Sequence, residues 1–283
     1  MQFWKMNGTG NDFIIINNIE EQIPEVKLSQ MAKSLCERHL SVGADGFMAV
    51  EKASKESDAD FRMLFYNADG SLGEMCGNGV RCICRYAYEN GLAGEKARVE
   101  TTAGIVSGER ISQSLYRVRL NTPCNIKLDE QLVVNGKLYC CSYSELGNPG
   151  VPHCVVPIYN LNMFSEDELR RIGKELRHYK GYPKGANVNF YEIIEPDYIF
   201  ERTYERGVED FTYSCGSGTA SVVSVLTLKG EVSGKNIKVD VKGGRLLIDI
   251  DRKGDIIDNI YLTGSTNVVA KGEITDEELQ KIK

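Results

Sequence analysis

Two short stretches of the chain hold residues that could do chemistry: EMCGNGVRC at 74–82 and YSCGSGTAS at 213–221. Each sets a cysteine before Gly-x-Gly and a run that reads as a helix. Cys76 and Cys215 stand 139 positions apart in 283 residues, about half the chain. The first N–H groups of a helix have no partner within it, and its N-terminus carries partial positive charge. A thiol placed there has its pKa lowered, and the spare N–H groups can hold a carboxylate. The glycines let a ligand come close to the backbone. With two such halves face to face, an α-amino acid would set its carboxylate between the helix ends and its Cα–H between the sulfurs. One thiolate would take the α-proton and the opposite thiol would return a proton to the other face. That is racemisation or epimerisation by two bases, with no cofactor. The α-proton is a very weak acid, so the carbanion needs preorganised N–H dipoles in a site closed to water. General-base strength alone does not suffice.

The elements that must position these loops are mostly strands. FIIIN (13–17), ADFRMLFYN (59–67), ARVETTAG (97–104), YRVRLN (116–121), KLYCCSY (137–143), HCVVPIYN (153–160), NVNFYEII (187–194), YIFERTYE (198–205), IKVDV (237–241) and RLLIDI (245–250) are rich in β-branched and aromatic residues. Helical spacing marks 27–38, and SEDELRRIGKELR (165–177) opens on a capping-box pattern, Ser165 with Glu168. Two further helices follow the cysteine loops, at 79–91 and 218–230, each stopping at a glycine. FYNADGSLGEMCGNG is echoed by TYERGVEDFTYSCGSG, an aromatic strand end followed by Cys-Gly-x-Gly. The pattern predicts an α+β protein of two halves related by internal duplication, 1–122 and 123–283, with the C-terminal strand free to cross over. The C-terminal DEELQKIK reads as a solvated charged end.

Composition narrows the partners. A net charge of −6 and a pI near 5.3 argue against nucleic acid, which needs a basic face. The opening MQFWKMNGTGNDF has neither the apolar run of a signal peptide nor a membrane span, so a cytoplasmic location and no membrane partner are expected. Nine cysteines fit thiols in a reducing compartment better than a disulfide framework. Cys36, Cys124, Cys140 and Cys141 read as small buried hydrophobes. Cys82 and Cys84 form a CxC that misses zinc spacing, so no metal is expected. One Cys-Gly-x-Gly alone would read as core or turn; two in matching context point to a paired-thiol site. The main non-epimerase reading of that pair is a disulfide redox switch between Cys76 and Cys215.

The chain resembles the diaminopimelate epimerase family along its whole length. FWKMNGTGNDF, GADGFM, FYNADGSLGEMCGNGVRC, VETTAGIV, GANVNF, YERGVED and VKGGRLLI follow in the family's order. The resemblance implies two pseudosymmetric halves, each a β-barrel-like sheet around a central helix, with the site in the cleft. It implies cofactor-independent interconversion of LL- and meso-diaminopimelate, and a tendency to form a homodimer. By the family pattern, Cys76 and Cys215 match the catalytic pair. Gly77, Asn78, Gly216 and Ser217 match the loops whose N–H groups hold the reacting α-carboxylate. Asn11, Asn67, Asn187, Glu205 and Arg206 match substrate-contacting positions; Asn67, Asn187 and Arg206 hold the distal carboxylate, and Glu205 lies where an ammonium would be. His153 matches the histidine of a Gly-Asn-Pro-His turn near the reacting centre. Arg206 offers a planar fork for a carboxylate, and the asparagines donate without adding charge.

Three departures bear on substrate choice. That turn reads GNPGVPHCVV at 147–156. Either three residues are inserted after Pro149, or Val151 stands where the family has asparagine, which would replace a donor with an apolar surface. CGSGTAS replaces the more usual Cys-Gly-Thr-Gly-Ala, and Ser217 keeps the hydroxyl. Phe211 and Tyr213 add aromatic bulk before Cys215. Val151, Phe211 and Tyr213 are therefore specificity candidates, and a racemase of another amino acid such as histidine is the alternative substrate reading. A non-catalytic thiol redox or binding protein is the alternative from another class, and a dehydratase or isomerase on the same fold is a third. A bridged Cys76–Cys215 form is expected to be inactive and to recover with a reductant.

Overall fold

The computed structural model describes residues 1–73, 75–275 and 277–280. It divides into two compact units: Met1–Val118 with the chain from Thr263 on, and Arg119–Leu262.

The first unit holds β1 (Gln2–Gly8), β2 (Asn11–Asn17), β3 (Gly46–Glu51), β4 (Phe61–Asn67), β5 (Lys96–Thr101), β6 (Gly104–Arg110), β7 (Leu115–Leu120) and β17 (Asn267–Glu273). Its helices are α1 (Asn18–Glu21), α2 (Glu25–Cys36), α3 (Gly77–Glu89) and the short α6 (Glu277–Gln280). β1 pairs antiparallel with β2, β2 parallel with β3, β3 antiparallel with β4, β4 parallel with β5, and β5 antiparallel with β6. Parallel neighbours need a crossover, and α2 and α3 supply the two crossovers. β17 returns from the chain's end to pair with β1.

The second unit holds β8 (Pro123–Val134), β9 (Lys137–Leu146), β10 (Val151–Pro157), β11 (Asn187–Glu195), β12 (Tyr198–Glu205), β13 (Asp210–Phe211), β14 (Ile237–Val241), β15 (Gly244–Lys253) and β16 (Ile256–Ser265). Its helices are α4 (Glu166–Arg177) and α5 (Gly216–Lys229). The pairing repeats. β9 is antiparallel to β10, β10 parallel to β11, β11 antiparallel to β12, β12 parallel to β14, and β14 antiparallel to β15. Here β8 pairs with β9, as β17 pairs with β1. The same order of strand pairings thus recurs in the two units.

Each unit wraps its sheet around one helix and carries another outside. Every residue of α3 from Asn78 to Ala87 is buried, as is every residue of α5 from Gly218 to Thr227. A helix buried all round must lie in a core, and α5 is free of charge until Lys229 for that reason. α3 packs on β1, β2, β5 and β6; α5 packs on β8, β9, β10, β11 and β15. The outer helix α2 buries only one face, Leu28, Met31, Ala32, Leu35 and Cys36, against Ile14, Ile16, Phe47 and Leu64. Each fully buried leucine or isoleucine there contributes about 1.5–3 kcal/mol. The outer helix α4 buries Leu169, Gly173 and Leu176, and a Cβ at Gly173 would come 2.8 Å from the Tyr204 ring.

Several local expectations need correction. ARVETTAG is not one strand: it turns at Thr102–Ala103 between β5 and β6. Cys36 and Cys141 are buried, but Cys124 and Cys140 are exposed. The alternation of a strand turns Cys141 inward and its neighbour Cys140 outward. The C-terminal segment is not wholly solvated, because Leu279 packs into the cluster beneath α2; Asp276 and residues 281–283 lie outside the described residues, as does Glu74 of the first loop. Among the described residues, no helix is long and apolar enough to cross a membrane.

Candidate active site

In the first unit, β4 ends at Asn67 and the chain reaches Cys76, which is the N-cap of α3 with φ −124° and ψ 114°. Its carbonyl accepts from Val80 N–H at 2.8 Å, while its side chain makes no capping bond. Gly77, Asn78 and Gly79 contribute the first-turn N–H groups, which have no intrahelical partner. The Asn78 side chain is fixed at both ends: its Nδ2 donates to Asn11 Oδ1 at 2.6 Å, and its Oδ1 accepts from Arg81 Nη2 at 2.8 Å. Asn11 in turn donates to Asp45 at 3.2 Å. Asn67 is exposed and donates to Ser71 Oγ at 3.0 Å.

The anchor of this network, Arg81, was not among the expected site residues. It is fully buried and also donates to Thr9 Oγ1 at 2.9 Å. Thr9 sits at φ +53°, a strained conformation for a β-branched residue, in the turn that delivers Asn11. Burial pulls Arg81 down to about 10, which leaves it charged at neutral pH, and an ionised Cys82 or Cys76 would favour that charge. The available signal was its place three residues after Asn78 on the helix that follows the first cysteine loop.

In the second unit, Cys215 is the N-cap of α5 with φ −123° and ψ 102°. Its sulfur lies 3.5 Å from Ser217 Oγ, and its carbonyl accepts from Thr219 N–H at 2.9 Å. The expectation of an easily ionised thiol does not hold for it. Burial pushes the Cys215 thiol up and Glu205 and Glu201 add to the rise, while the Ser217 hydroxyl and the Gly218 N–H offset only part. Cys215 is only 8% exposed, so withdrawal from water outweighs the favourable end of the helix.

His153 and Asn187 face each other across the parallel pair β10–β11. Asn187 is held on two sides: its Nδ2 donates to the Pro152 carbonyl at 3.3 Å and its Oδ1 accepts from Arg206 N–H at 2.8 Å. The Arg206 guanidinium donates to the Lys184 carbonyl at 3.1 Å, and Glu205 at the end of β12 is half-buried. His153 is fully buried, and its Nδ1 accepts from Asn189 Nδ2 at 3.2 Å, which places the ring proton on Nε2. Nε2 has no partner. Burial, with Arg206 nearby, pulls His153 down to about 3. The unfolded chain therefore takes up a proton at this ring between about pH 6.5 and 3 that the native chain refuses, so this group makes stability fall as pH drops through that window. Nitrogen-15 NMR of the ring is expected to show a neutral imidazole at pH 5; a protonated His153 there would contradict this placement.

Of the specificity candidates, Val151 opens β10, paired with Leu146 after the turn 147–150. Phe211 packs in an aromatic cluster, 5.9 Å from Tyr204 and 6.2 Å from Phe190 between ring centroids. Tyr213 is 53% exposed, with Lys242 Nζ 5.3 Å from its ring centroid.

Comparisons with known proteins bear on the family and the fold. The sequence profile described as diaminopimelate epimerase matches residues 3–116 and 146–269. The diaminopimelate epimerase of Aquifex aeolicus (strain VF5) is 36% identical, covering 99% of this chain and 100% of that protein. Among solved structures, a probable proline racemase from Agrobacterium radiobacter K84 superposes with a TM-score of 0.69 at 16% identity, covering 97% of this chain and 92% of that one. A hydroxyproline epimerase from Agrobacterium vitis, with bound trans-4-hydroxy-L-proline, gives 0.68 at 17% identity, covering 98% and 92%. At such identities the structures establish the shared fold.

Proposed function

The chain belongs to the diaminopimelate epimerase family, and from that premise we propose that it interconverts LL- and meso-diaminopimelate with Cys76 and Cys215 as the two bases. Family membership makes it an isomerase. The observation that carries the reading is one device used twice. In each unit a cysteine caps a fully enclosed helix through Gly-x-Gly, with backbone angles that differ by only 1° in φ and 12° in ψ.

The chemistry follows from that device. The N–H groups of Gly77, Asn78, Gly216 and Ser217 take the α-carboxylate and stabilise the negative charge that grows as the α-proton leaves. One thiolate removes the proton and the other thiol supplies one to the opposite face, so the reading requires both sulfurs to address a single α-carbon. Asn67, Asn187 and Arg206 hold the distal carboxylate, and Glu205 an ammonium group. His153 stays neutral and keeps Nε2–H as a donor. An unsatisfied buried donor costs about 1–3 kcal/mol, which a bound substrate would recover.

The test is α-proton exchange followed by NMR in D2O with a thiol reductant, offering LL-diaminopimelate, L-histidine and other L-amino acids separately. Rapid deuterium uptake into diaminopimelate is the expected result. Uptake into histidine or another monocarboxylate amino acid, with diaminopimelate inert, would overturn the substrate assignment.

A further inference from the structure

Beneath the Cys215 loop lies an acid that the reaction as described does not use. Glu201, on β12, is fully buried. Its Oε2 is 2.6 Å from Thr219 Oγ1, and that hydroxyl is also 3.1 Å from the Cys215 carbonyl oxygen. Its Oε1 is 3.3 Å from Thr203 Oγ1. Glu201 and Cys215 also line one small cavity of about 10 Å³, together with Thr203, Thr212 and Ser214.

Proton accounting around this acid is tight. Asn189 must point its Nδ2 at the Cys154 carbonyl, 3.3 Å away, and at His153 Nδ1. Its Oδ1 therefore faces Thr203, whose single hydroxyl proton goes to it at 3.0 Å. Of the two hydroxyls within reach of Glu201 among the described residues, that leaves Thr219 to serve it. Among the described residues, no cation is paired with Glu201: Arg202 and Lys242, which line the same cavity, both turn to Glu166. Tyr191, opposite Glu201 on β11, is held neutral by burial, up to about 12. Glu205 lies further along β12, His153 is reached only through Asn189, and Cys215 is the ionisable group on the α5 side. A carboxylate sealed from water with one donor and no counter-charge is costly, whereas a neutral carboxylic acid in the same place leaves no charge unpaired.

We propose that Glu201 is a positioning residue for Cys215. As a neutral acid it donates to Thr219 Oγ1, Thr219 donates to the Cys215 carbonyl, and the capping turn is held without negative charge beside the thiol. Loss of the Glu201 proton to solvent reverses the first bond. Thr219 then donates to the carboxylate, the Cys215 carbonyl keeps only the Thr219 N–H, and a negative charge opposes thiolate formation. Burial pushes Glu201 up to about 7, so the change falls in the working pH range. The inference rests on Cys215 being one of the two bases.

Glu201→Gln keeps the shape and stays neutral at every pH. At pH 6 its kcat/KM should match the wild type, and by pH 9 the ratio of variant to wild type should rise about tenfold in the direction where Cys215 takes the proton. Both LL- and meso-diaminopimelate are assayed, so that direction is covered. A merely structural role would leave the ratio flat across pH in both directions, and that result would overturn the proposal. Carbon-13 NMR of the glutamate carboxyls in the wild-type protein needs neither the variant nor activity. One glutamate titrating near 7, absent from Glu201→Gln, is expected; all glutamates titrating in the ordinary range would also overturn it. A wild type inert on every amino acid would count against the epimerase reading, and the carboxyl titration would then decide the state of Glu201 alone.

Discussion

Cys76→Ala and Cys215→Ala are each expected to lower epimerisation by about 10³-fold or more, with the fold intact. Each deletes one of the two groups that must exchange protons with the α-carbon, and no neighbouring group replaces it. The Ser217 hydroxyl, 3.5 Å from the sulfur of Cys215, is far less acidic than a thiol. Loss in both variants separates the two-base reading from two alternatives. A redox protein would lose thiol exchange and show no α-proton exchange to begin with. A dehydratase or isomerase on this fold would tolerate loss of one thiol. Cys124→Ala is the control, since that thiol is exposed, and its activity should stay at the wild-type level. Full activity in either Cys76→Ala or Cys215→Ala would remove the mechanism.

Gly218→Ala carries the second large effect. A Cβ at Gly218 would stand 2.2 Å from Asn189 Oδ1 and 3.2 Å from Thr203 Oγ1. Asn189 cannot retreat without releasing His153 and the Cys154 carbonyl. The overpacking is expected to cost about 1–3 kcal/mol in stability. Displacing the first turn of α5, and with it Cys215, should lower kcat by about 10²-fold. Gly94→Ala, where a Cβ meets nothing within 4 Å, should stay within about 0.5 kcal/mol of the wild type. Urea unfolding read beside kcat checks both variants. A stable, fully active Gly218→Ala protein would show that Asn189 is not fixed as described.

Much of this architecture is legible in the sequence where the chain obeys local rules. The capping box at Ser165 and Glu168 forms, and α5 ends in a left-handed Gly230 with φ +72°. The cysteines stand at the N-caps that Gly-x-Gly marks. Local rules fail where partners are distant in sequence. β8 reads PCNIKLDEQLVV, too polar to announce a strand, and exists because β9 pairs with it along its length. β17 pairs with β1, from the opposite end of the chain. Glu201 looks like a solvent-facing charge in YIFERTYE, yet Ile199 and Thr203 two residues away are both buried. Strand alternation puts all three on the face that meets α5. Arg81 is hidden the same way, a charge on a helix that proves to be central. The state of Cys215 depends on burial and on two carboxyls from β12, so the helix terminus alone predicts the wrong direction.

The most direct test of the two-thiol account is the position of solvent deuterium in the first turnovers. Starting from LL-diaminopimelate in D2O, each new meso molecule should carry deuterium at its inverted α-carbon, while the recovered LL pool stays protiated. Two bases on opposite faces require that asymmetry, because the group that removes the proton is not the one that returns it. Deuterium entering recovered substrate and product alike, or product keeping the substrate's own proton, would mean that a single base serves both faces and would contradict the account.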